Sequence, residues 1–424
     1  MSDRRKTVRT ILMVAAVAVL LIPPTIYFFV KSAEERAWSE MRRWCDQTAA
    51  DLRSRPAERP VLRGTAVPGN AWDDYEEGLR SLPSQQALYP AGDYSQNLSD
   101  SAVDKVADLL QRHGSSIEAL RRGAGRSYAR RPMEWEHPPD RAFGRTQLYA
   151  SLATCRARFL VEEGRPREAM DLLLDVAQYG EDAALNGSIM DGIVGVAILS
   201  IPQDELQRML VAGSLGRDDC RELVRTLELL DRGFPREDLA CAVDSMTSGF
   251  DYLHYGTIQA ILARMEISNI PAPGWRYCFS DRLALVDAFR WERLWGQKMS
   301  AAAGGPWAAA REIWEHMAAD RRVSPNPLLQ KFSTLASVFD VPPVRSPYRE
   351  RRAQLRLLRS AAAWLSSGEI AVLDDPYGDK IHVSSTGTHL KIWSVGADGV
   401  DDGGSGEWRS RSGKDIVLEV ERAP

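Results

Sequence analysis

Residues 161–173, VEEGRPREAMDLL, predict a tight turn between two antiparallel helices. Gly164 can end the first helix in the left-handed conformation, and Pro166 can occupy the first turn of the second. Apolar residues on both sides recur at helical spacing: they are Leu148, Leu152, Cys155 and Phe159 before the turn, and Ala169, Leu172, Leu173 and Val176 after it. No second copy of this tetratricopeptide-like pattern follows at a fixed period. The sequence therefore favours an irregular helical domain with a TPR-like hairpin.

The run at residues 189–201, IMDGIVGVAILSI, is apolar but too short to cross a ~30 Å hydrocarbon layer as a helix. We predict a buried core helix, in which Gly192 and Gly195 let a neighbouring helix approach closely. By contrast, residues 55–70 are rich in Pro and Gly and predict a linker ahead of the helical domain.

Residues 11–30 carry no charge and are long enough to cross a membrane as one helix. Basic residues precede this run, namely Arg4, Arg5, Lys6 and Arg9, whereas only Lys31 immediately follows it. The positive-inside rule then places the N-terminus in the cytoplasm and the bulk of the chain on the other side. A cleaved signal peptide is the alternative, but it would have a shorter apolar region and a small residue in place of Lys31. We predict a single-pass anchor.

The 424 residues carry a formal net charge of -4, which is too small to indicate a nucleic acid or polyanionic partner. The five cysteines show no CxxC spacing, which argues against a zinc site. A disulfide between Cys220 and Cys241 is one possible state of these residues, and buried free thiols are the other.

One cluster has residue types suited to acid–base catalysis. The stretch MEWEHPPD at residues 133–140 places Glu134 and Glu136 beside His137. Carboxylates and imidazole can transfer protons or bind a metal. However, the adjacent prolines predict a loop, and the HExxH spacing that puts two ligands on one helix face is absent. This cluster supports an envelope hydrolase only as the alternative function.

The C-terminal part changes period. Residues 350–367 predict a helix that Gly368 ends, with a face of arginines that either meets anionic lipid or a partner or is simply solvated; they are Arg349, Arg351, Arg352, Arg356 and Arg359. After the turn DDPYGDK, the stretches IHVSS, HLKIWSV and DIVLEV alternate like strands. The sequence thus predicts a helix packed on a small antiparallel sheet.

Between the last two strands lies an acidic, glycine-rich loop at residues 396–414, GADGVDDGGSGEWRSRSGK. Its aspartates and the one that follows it are Asp398, Asp401, Asp402 and Asp415. Like charges repel by kcal/mol at ~4 Å, so a crowded set of carboxylates needs a counter-charge. Oxygen ligands on a flexible loop suit Ca²⁺, which accepts six to eight of them at ~2.3–2.6 Å. A solvated acidic turn is the alternative.

The motifs DDPYGDKIHV, HLKIWSVGADGVDDGG and DIVLEV resemble the C-terminal part of the major pseudopilin of type II secretion systems. That resemblance covers about residues 351–420 and implies a calcium ion that holds the C-terminal sheet together. It assigns Asp398, Asp415 and Ser394 to the metal site, with Asp401 and Asp402 in the family's more variable part. The N-terminus lacks the prepilin processing element, so we expect an anchored protein with a pseudopilin-like tail and not a filament subunit.

We therefore predict a mainly α chain with an α+β tail. The predicted parts are a cytoplasmic stub and anchor at residues 1–31, a juxtamembrane helix and linker at 32–70, a helical domain at 71–345 and the pseudopilin-like tail at 346–424. The expected function is a non-enzymatic protein of the bacterial inner membrane, facing the periplasm or the outside. Its helical domain would contact other envelope proteins, structural Ca²⁺ would stabilise its tail, and the pseudopilin-like tail would associate it with secretion.

Overall fold

The structure is a computed structural model. It describes the chain except residues 1, 56–57, 98–102, 131–142, 186, 188, 236–242, 244–245, 247, 255–280, 304, 324–325, 327–345, 410–413 and 423–424. For residues 2–26 and a few further helical positions it describes the backbone alone.

The described chain is mainly helical, with a small antiparallel sheet near the C-terminus, as predicted. The helices are α1 (Ser2–Ser54), α2 (Ala71–Ser81), α3 (Gln85–Asn97), α4 (Val103–Arg112), α5 (Gly114–Ala124), α6 (Phe143–Glu162), α7 (Pro166–Ala184), α8 (Ile189–Val211), α9 (Arg217–Gly233), α10 (Asp281–Ala303), α11 (Trp307–Val323) and α12 (Pro347–Ser367). The strands are β1 (Val67–Asn70), β2 (Arg126–Tyr128), β3 (His382–Thr386), β4 (His389–Ser394) and β5 (Ile416–Glu421).

Among the residues searched, none of the helices combines the length and apolarity that crossing a membrane requires. Most of the predicted anchor at residues 11–30 lies where the structure describes the backbone alone, as part of α1. The anchor therefore stays a prediction.

The chain divides into two compact units. The smaller comprises Met1–Arg53, Ser245–Leu294 and Asp320–Leu335, and the larger comprises Ser54–Asp244, Trp295–Ala319 and Ala336–Pro424. In the larger unit, the helical hairpin and the C-terminal sheet belong to one compact body. All sites described below lie in this larger unit.

The hairpin of α6 and α7 confirms the predicted turn. Gly164 has a φ of 75°, and the backbone N–H of Arg165 donates to the carbonyl of Leu160 at 2.8 Å. Pro166 is the first residue of α7. Apart from partly buried Phe159, the apolar residues that predicted the two helices are all buried.

Helix α8 is the predicted core helix, and it packs closely on α7. A Cβ added to Gly195 would lie 2.5 Å from the Gly180 carbonyl oxygen and 2.6 Å from the Ala184 Cβ. A Cβ added to Gly192 would lie 1.8 Å from the Tyr348 hydroxyl, on α12. Both glycines therefore permit the close approach that the sequence predicts.

The prediction of a linker at residues 55–70 is wrong for the part that the structure describes. Leu62 is 5% exposed, and its N–H donates to the Gln178 side chain on α7 at 3.0 Å. Arg63 forms an ion pair with Asp175 at 3.0 Å, and β1 pairs in parallel with β2. Side chains of α7 bind this segment, so it is packed against the helical domain. Its Pro and Gly residues mark bends within it.

The arginines of α12 form neither a lipid-facing surface nor a merely solvated face. Ser346 caps the start of α12 and Gly368 its end, and the helix packs on α9 and α8. The arginines contact groups of this chain: Arg352 and Arg356 bind Asp231, Arg359 binds Glu228, Arg349 donates to three backbone carbonyls, and Arg351 bonds to Gln354. Carboxylates that α9 brings opposite α12 bind three of these five arginines, and periodicity within α12 cannot reveal them.

The C-terminal sheet has the order β3-β4-β5, and both pairings are antiparallel. Leu390, Ile392 and Ser394 of β4 are buried, and the residues between them are half-buried. This alternation is the one predicted from the sequence.

The described cysteines are free thiols. Cys45, Cys155 and Cys220 are all buried and unbridged, which confirms the free-thiol alternative for these three. Cys241, the partner considered above for Cys220, and Cys278 lie outside the described residues.

Candidate metal centre

Asp375, in the turn that precedes β3, holds the entry to the acidic loop. Its Oδ1 accepts hydrogen bonds from the Ser394 hydroxyl at 2.7 Å and from the Tyr377 N–H at 2.9 Å. Its Oδ2 accepts from the Val395 N–H at 2.9 Å. The hydroxyl of Ser394, a predicted metal ligand, is thus engaged by a carboxylate that the sequence analysis did not single out. The Asp-Pro turn was the available signal, because Asp side chains favour bonds to the backbone two residues on.

The loop that follows bends at its glycines. Gly396, Gly399, Gly403 and Gly404 all have φ between 67° and 74°. A side chain would strain the backbone in this left-handed region, so glycine is required for the path of the loop. The predicted sharp folding of this loop is confirmed.

Asp415, just before β5, is fully buried. Its Oδ2 accepts a hydrogen bond from the Gly404 N–H at 2.8 Å, whereas its Oδ1 is buried with no hydrogen-bond partner in the described part of the chain. Burial raises the pKa of this carboxyl, although the N–H groups of Gly404 and Asp402 oppose the rise. A buried carboxylate oxygen without a partner is costly, because it has lost its water and gained nothing in return.

The other three aspartates among the predicted ligands are exposed. Asp398 accepts a bond from the Val400 N–H at 3.0 Å, and Asp402 lies at the surface. Asp401 accepts from the Trp393 indole N–H and from a backbone N–H, each at 2.9 Å, and lies 3.3 Å from the His382 ring nitrogen. These contacts, led by the indole, lower the pKa of the Asp401 carboxyl.

The predicted ligands therefore share one loop without converging on one point. In the described residues, no three or more His, Cys, Asp or Glu side chains are grouped so as to hold a metal ion. The structure brings together the Asp415 carboxylate and the backbone N–H groups of residues 402 and 404. Neither the Ser394 hydroxyl nor the Asp401 carboxylate is hydrogen-bonded to the Asp415 carboxylate.

The far limb of the loop is bound to the helices. The Trp408 indole N–H donates to Asp204 of α8 at 2.7 Å, and Arg409 pairs with the same carboxylate. The Gln354 side chain of α12 donates to the Trp408 carbonyl at 2.7 Å. The loop is thus held at Trp408 and Arg409 as well as at its start.

A second group of buried carboxylates lies in the helical core. Asp182 of α7 accepts hydrogen bonds from the Tyr75 hydroxyl at 2.6 Å and the Arg59 guanidinium at 2.7 Å. Burial raises its pKa to about 6, against the opposing effect of Arg59. Burial also raises the pKa of neighbouring Glu181 to about 8. A Cβ on Gly233 would lie 1.8 Å from the Glu181 Oε1, so this glycine makes room for the carboxyl.

The core cluster is structural in its geometry. Asp182 is 1% exposed and Glu181 is 6% exposed, and Asp182 joins the segment around Arg59 and helix α2 to α7. The catalytic alternative, Glu134 with Glu136 and His137, lies outside the described residues.

Searches of protein-family models, curated proteins and solved structures find no match to this chain. The site must therefore be interpreted from its own geometry.

Proposed function

We propose that this chain is a non-enzymatic, membrane-anchored envelope protein whose C-terminal sheet is stabilised by Ca²⁺ bound in the acidic loop. One observation carries the calcium proposal: the buried Oδ1 of Asp415 lacks a partner in the described chain, in a loop with three further aspartates. A cation would supply the missing interaction and offset the charge of the loop.

The donor set fits calcium better than a transition metal. Carboxylate and carbonyl oxygens are hard ligands, and Ca²⁺ tolerates the irregular arrangements that a glycine-rich loop offers. Asp415 would supply the buried oxygen, and exposed Asp398 and Asp402 the further carboxylates. Loop carbonyls would complete the shell. Asp401 is held by Trp393, and Ser394 is held by Asp375, so these two would position the loop.

Side chains of this chain hold the loop at its start and at Trp408, and calcium would supply the counter-charge between these two points. Asp375 fixes the start of the loop, and Asp204 with Gln354 fixes Trp408 near its end. Because the ion would bind the folded loop and not the unfolded chain, its binding free energy would become folding free energy for the sheet.

The envelope location rests on the sequence. The uncharged run at residues 11–30 and the basic residues before it support an anchor with its bulk outside the cytoplasm. The helical surface of the larger unit would contact other envelope proteins, and a secretion-associated role rests on the pseudopilin-like motifs.

The test measures the melting temperature of the full chain in detergent, in Ca²⁺ and in a calcium chelator. The whole chain is required because α12 is buried against α8 and α9. We expect Ca²⁺ to raise the melting temperature and the variant Asp415→Asn to abolish the rise. Asp379→Asn, which removes an exposed carboxylate of the preceding turn, is the matched control and should keep the full response. Equal melting of the wild-type chain with and without chelator would contradict the proposal.

A further inference from the structure

A cavity of about 1000 Å³ lies where α9, α11, α12 and the Asp375 turn meet. Its wall combines nearly buried aromatic rings with guanidinium groups. The rings belong to Phe234, Trp307, Tyr348 and Tyr377, each less than a tenth exposed. The cavity is large enough for a small organic ligand. It is separate from the acidic loop, and the proposed calcium site does not use it.

The arginines at this wall differ in how far their own chain occupies them. Arg349 donates to the carbonyls of Pro376, Ala302 and Gly305, and Arg356 bonds to Asp231 and to a backbone carbonyl. Arg352 is 42% exposed and also binds Asp231, through its Nε, but its Nη1 donates to no described residue. Since Arg352 and Arg356 share one carboxylate, the pair retains a net positive charge.

Two neighbours add to the attraction for an anion. Helix α11 begins at Trp307, and its first turn, including exposed Ala308, lines the cavity. A helix start presents N–H groups without intrahelical partners and a positive end of the helix dipole. Arg352 also lies over the Phe234 ring at 5.9 Å, which places the cation beside an apolar surface.

The carboxylates at the cavity restrict what can bind. Asp375 is occupied by Ser394 and Val395, and Asp374 is paired with Lys380. Asp379 is exposed on the rim and lowers the affinity of the cavity for an anion.

We propose that this cavity binds a small organic anion, a phosphate monoester of an apolar group. Its phosphate would bind Arg352 and the start of α11, and its apolar part would lie against the aromatic wall. A planar guanidinium and a helix N-terminus that line the same cavity both favour the negative charge of a phosphate.

The experiment is isothermal titration calorimetry of the full chain in detergent at low ionic strength, with phenyl phosphate as the probe and inorganic phosphate for comparison. Saturable binding of phenyl phosphate, tighter than that of inorganic phosphate, is expected. The variant Arg352→Gln should weaken binding by about tenfold or more, because one charged donor is lost. Asp379→Asn should strengthen binding by a few fold, because it removes a repelling charge.

A second pair of variants separates binding from folding, since Arg352 also binds Asp231. Ala308→Glu places a carboxylate in the first turn of α11, where the helix dipole favours it, so the fold is retained. The same carboxylate should repel the phosphate, whereas Ala308→Gln adds similar bulk without charge and should bind several times more tightly than Ala308→Glu. Failure of phenyl phosphate to saturate the wild-type chain would overturn the proposal. So would affinities unchanged by both Arg352→Gln and Ala308→Glu, or equal affinity for inorganic phosphate.

Discussion

Asp182 in the helical core and Asp415 before the last strand are both buried carboxylates, yet their surroundings differ. Asp182 receives hydrogen bonds from a tyrosine, an arginine and a glutamine of its own chain. Asp415 receives backbone N–H groups at one oxygen, and its other oxygen has no partner among the described residues. The helical core supplies partners to both oxygens of Asp182, whereas the described part of the loop supplies them to one oxygen of Asp415.

The largest effect expected from this comparison is at Asp182. Asp182→Ala removes the partner of Arg59 and leaves that guanidinium buried without its carboxylate. We expect a loss of about 3–5 kcal/mol in the free energy of unfolding, measured by denaturant titration. Asp218→Ala, which removes a carboxylate 92% exposed and paired with Arg221, should cost less than about 0.5 kcal/mol. Similar losses for the two variants would show that the buried pair of Asp182 and Arg59 stabilises the chain no more than an exposed ion pair does.

The next effect concerns pH and Glu181. Burial raises the pKa of this carboxyl from the ordinary value of 4.5 to about 8. Between these values the unfolded chain releases the proton and the folded chain keeps it, so stability falls as pH rises and levels off above about pH 8. The wild-type chain should therefore lose on the order of 2–4 kcal/mol more stability between pH 5 and 8 than the variant Glu181→Gln. The measurement is the free energy of unfolding of both proteins as a function of pH. Parallel curves from pH 5 to 8 would contradict the assignment.

The effect of Asp415→Asn on the free energy of unfolding should change sign when calcium is present. In chelator the variant should be as stable as the wild-type chain, or more stable by up to about 1 kcal/mol, because a buried charge with an unpaired oxygen is gone. In saturating Ca²⁺ the wild-type chain should be more stable by roughly 1–3 kcal/mol. Asp182→Asn should cost the same in both buffers. A calcium-independent Asp415→Asn would remove the distinction between the two buried carboxylates.

The smallest effect tests the link between loop and helices. Trp408→Phe keeps an aromatic ring but replaces the indole with a smaller phenyl group, which removes the N–H that binds Asp204. We expect a loss of about 1 kcal/mol in the free energy of unfolding. Trp393→Phe, which removes an exposed bond to Asp401, should cost about half of that or less. A larger loss for Trp393→Phe than for Trp408→Phe would indicate that the loop is held from the sheet and not from α8.

Local patterns predicted the elements well wherever a face or a turn carried its own signal. Gly164 and Pro166 marked the α6–α7 turn, and alternation marked β4. The predicted linker at residues 55–70 failed, because the Gln178 and Asp175 side chains that bind it come from α7. Composition reports bends, but it does not report what lies on the other side of them.

The candidate site shows the same division. The aspartates and glycines of the loop could be listed from the sequence, since their chemistry is local. The sequence did not show that Asp375 accepts a hydrogen bond from Ser394, about 20 positions away in the chain. Nor did it show that, among these aspartates, Asp415 is the buried one, bound by a backbone N–H 11 positions away. Both contacts depend on turns that bring distant residues together. Spacing alone cannot rank ligands that differ only in burial.

By itself, the sequence determined the helical class of this protein, its small C-terminal sheet and the place of its acidic loop, because periodicity, glycines and prolines act over a few residues. Only the tertiary structure decided which charged groups pair: the α12 arginines pair with Asp231 and Glu228, and Asp182 pairs with Arg59. It also decided that one buried oxygen of Asp415 has no partner among the described residues. The physical reason is that burial and pairing depend on which distant side chains share a small volume, and no local pattern encodes that distance.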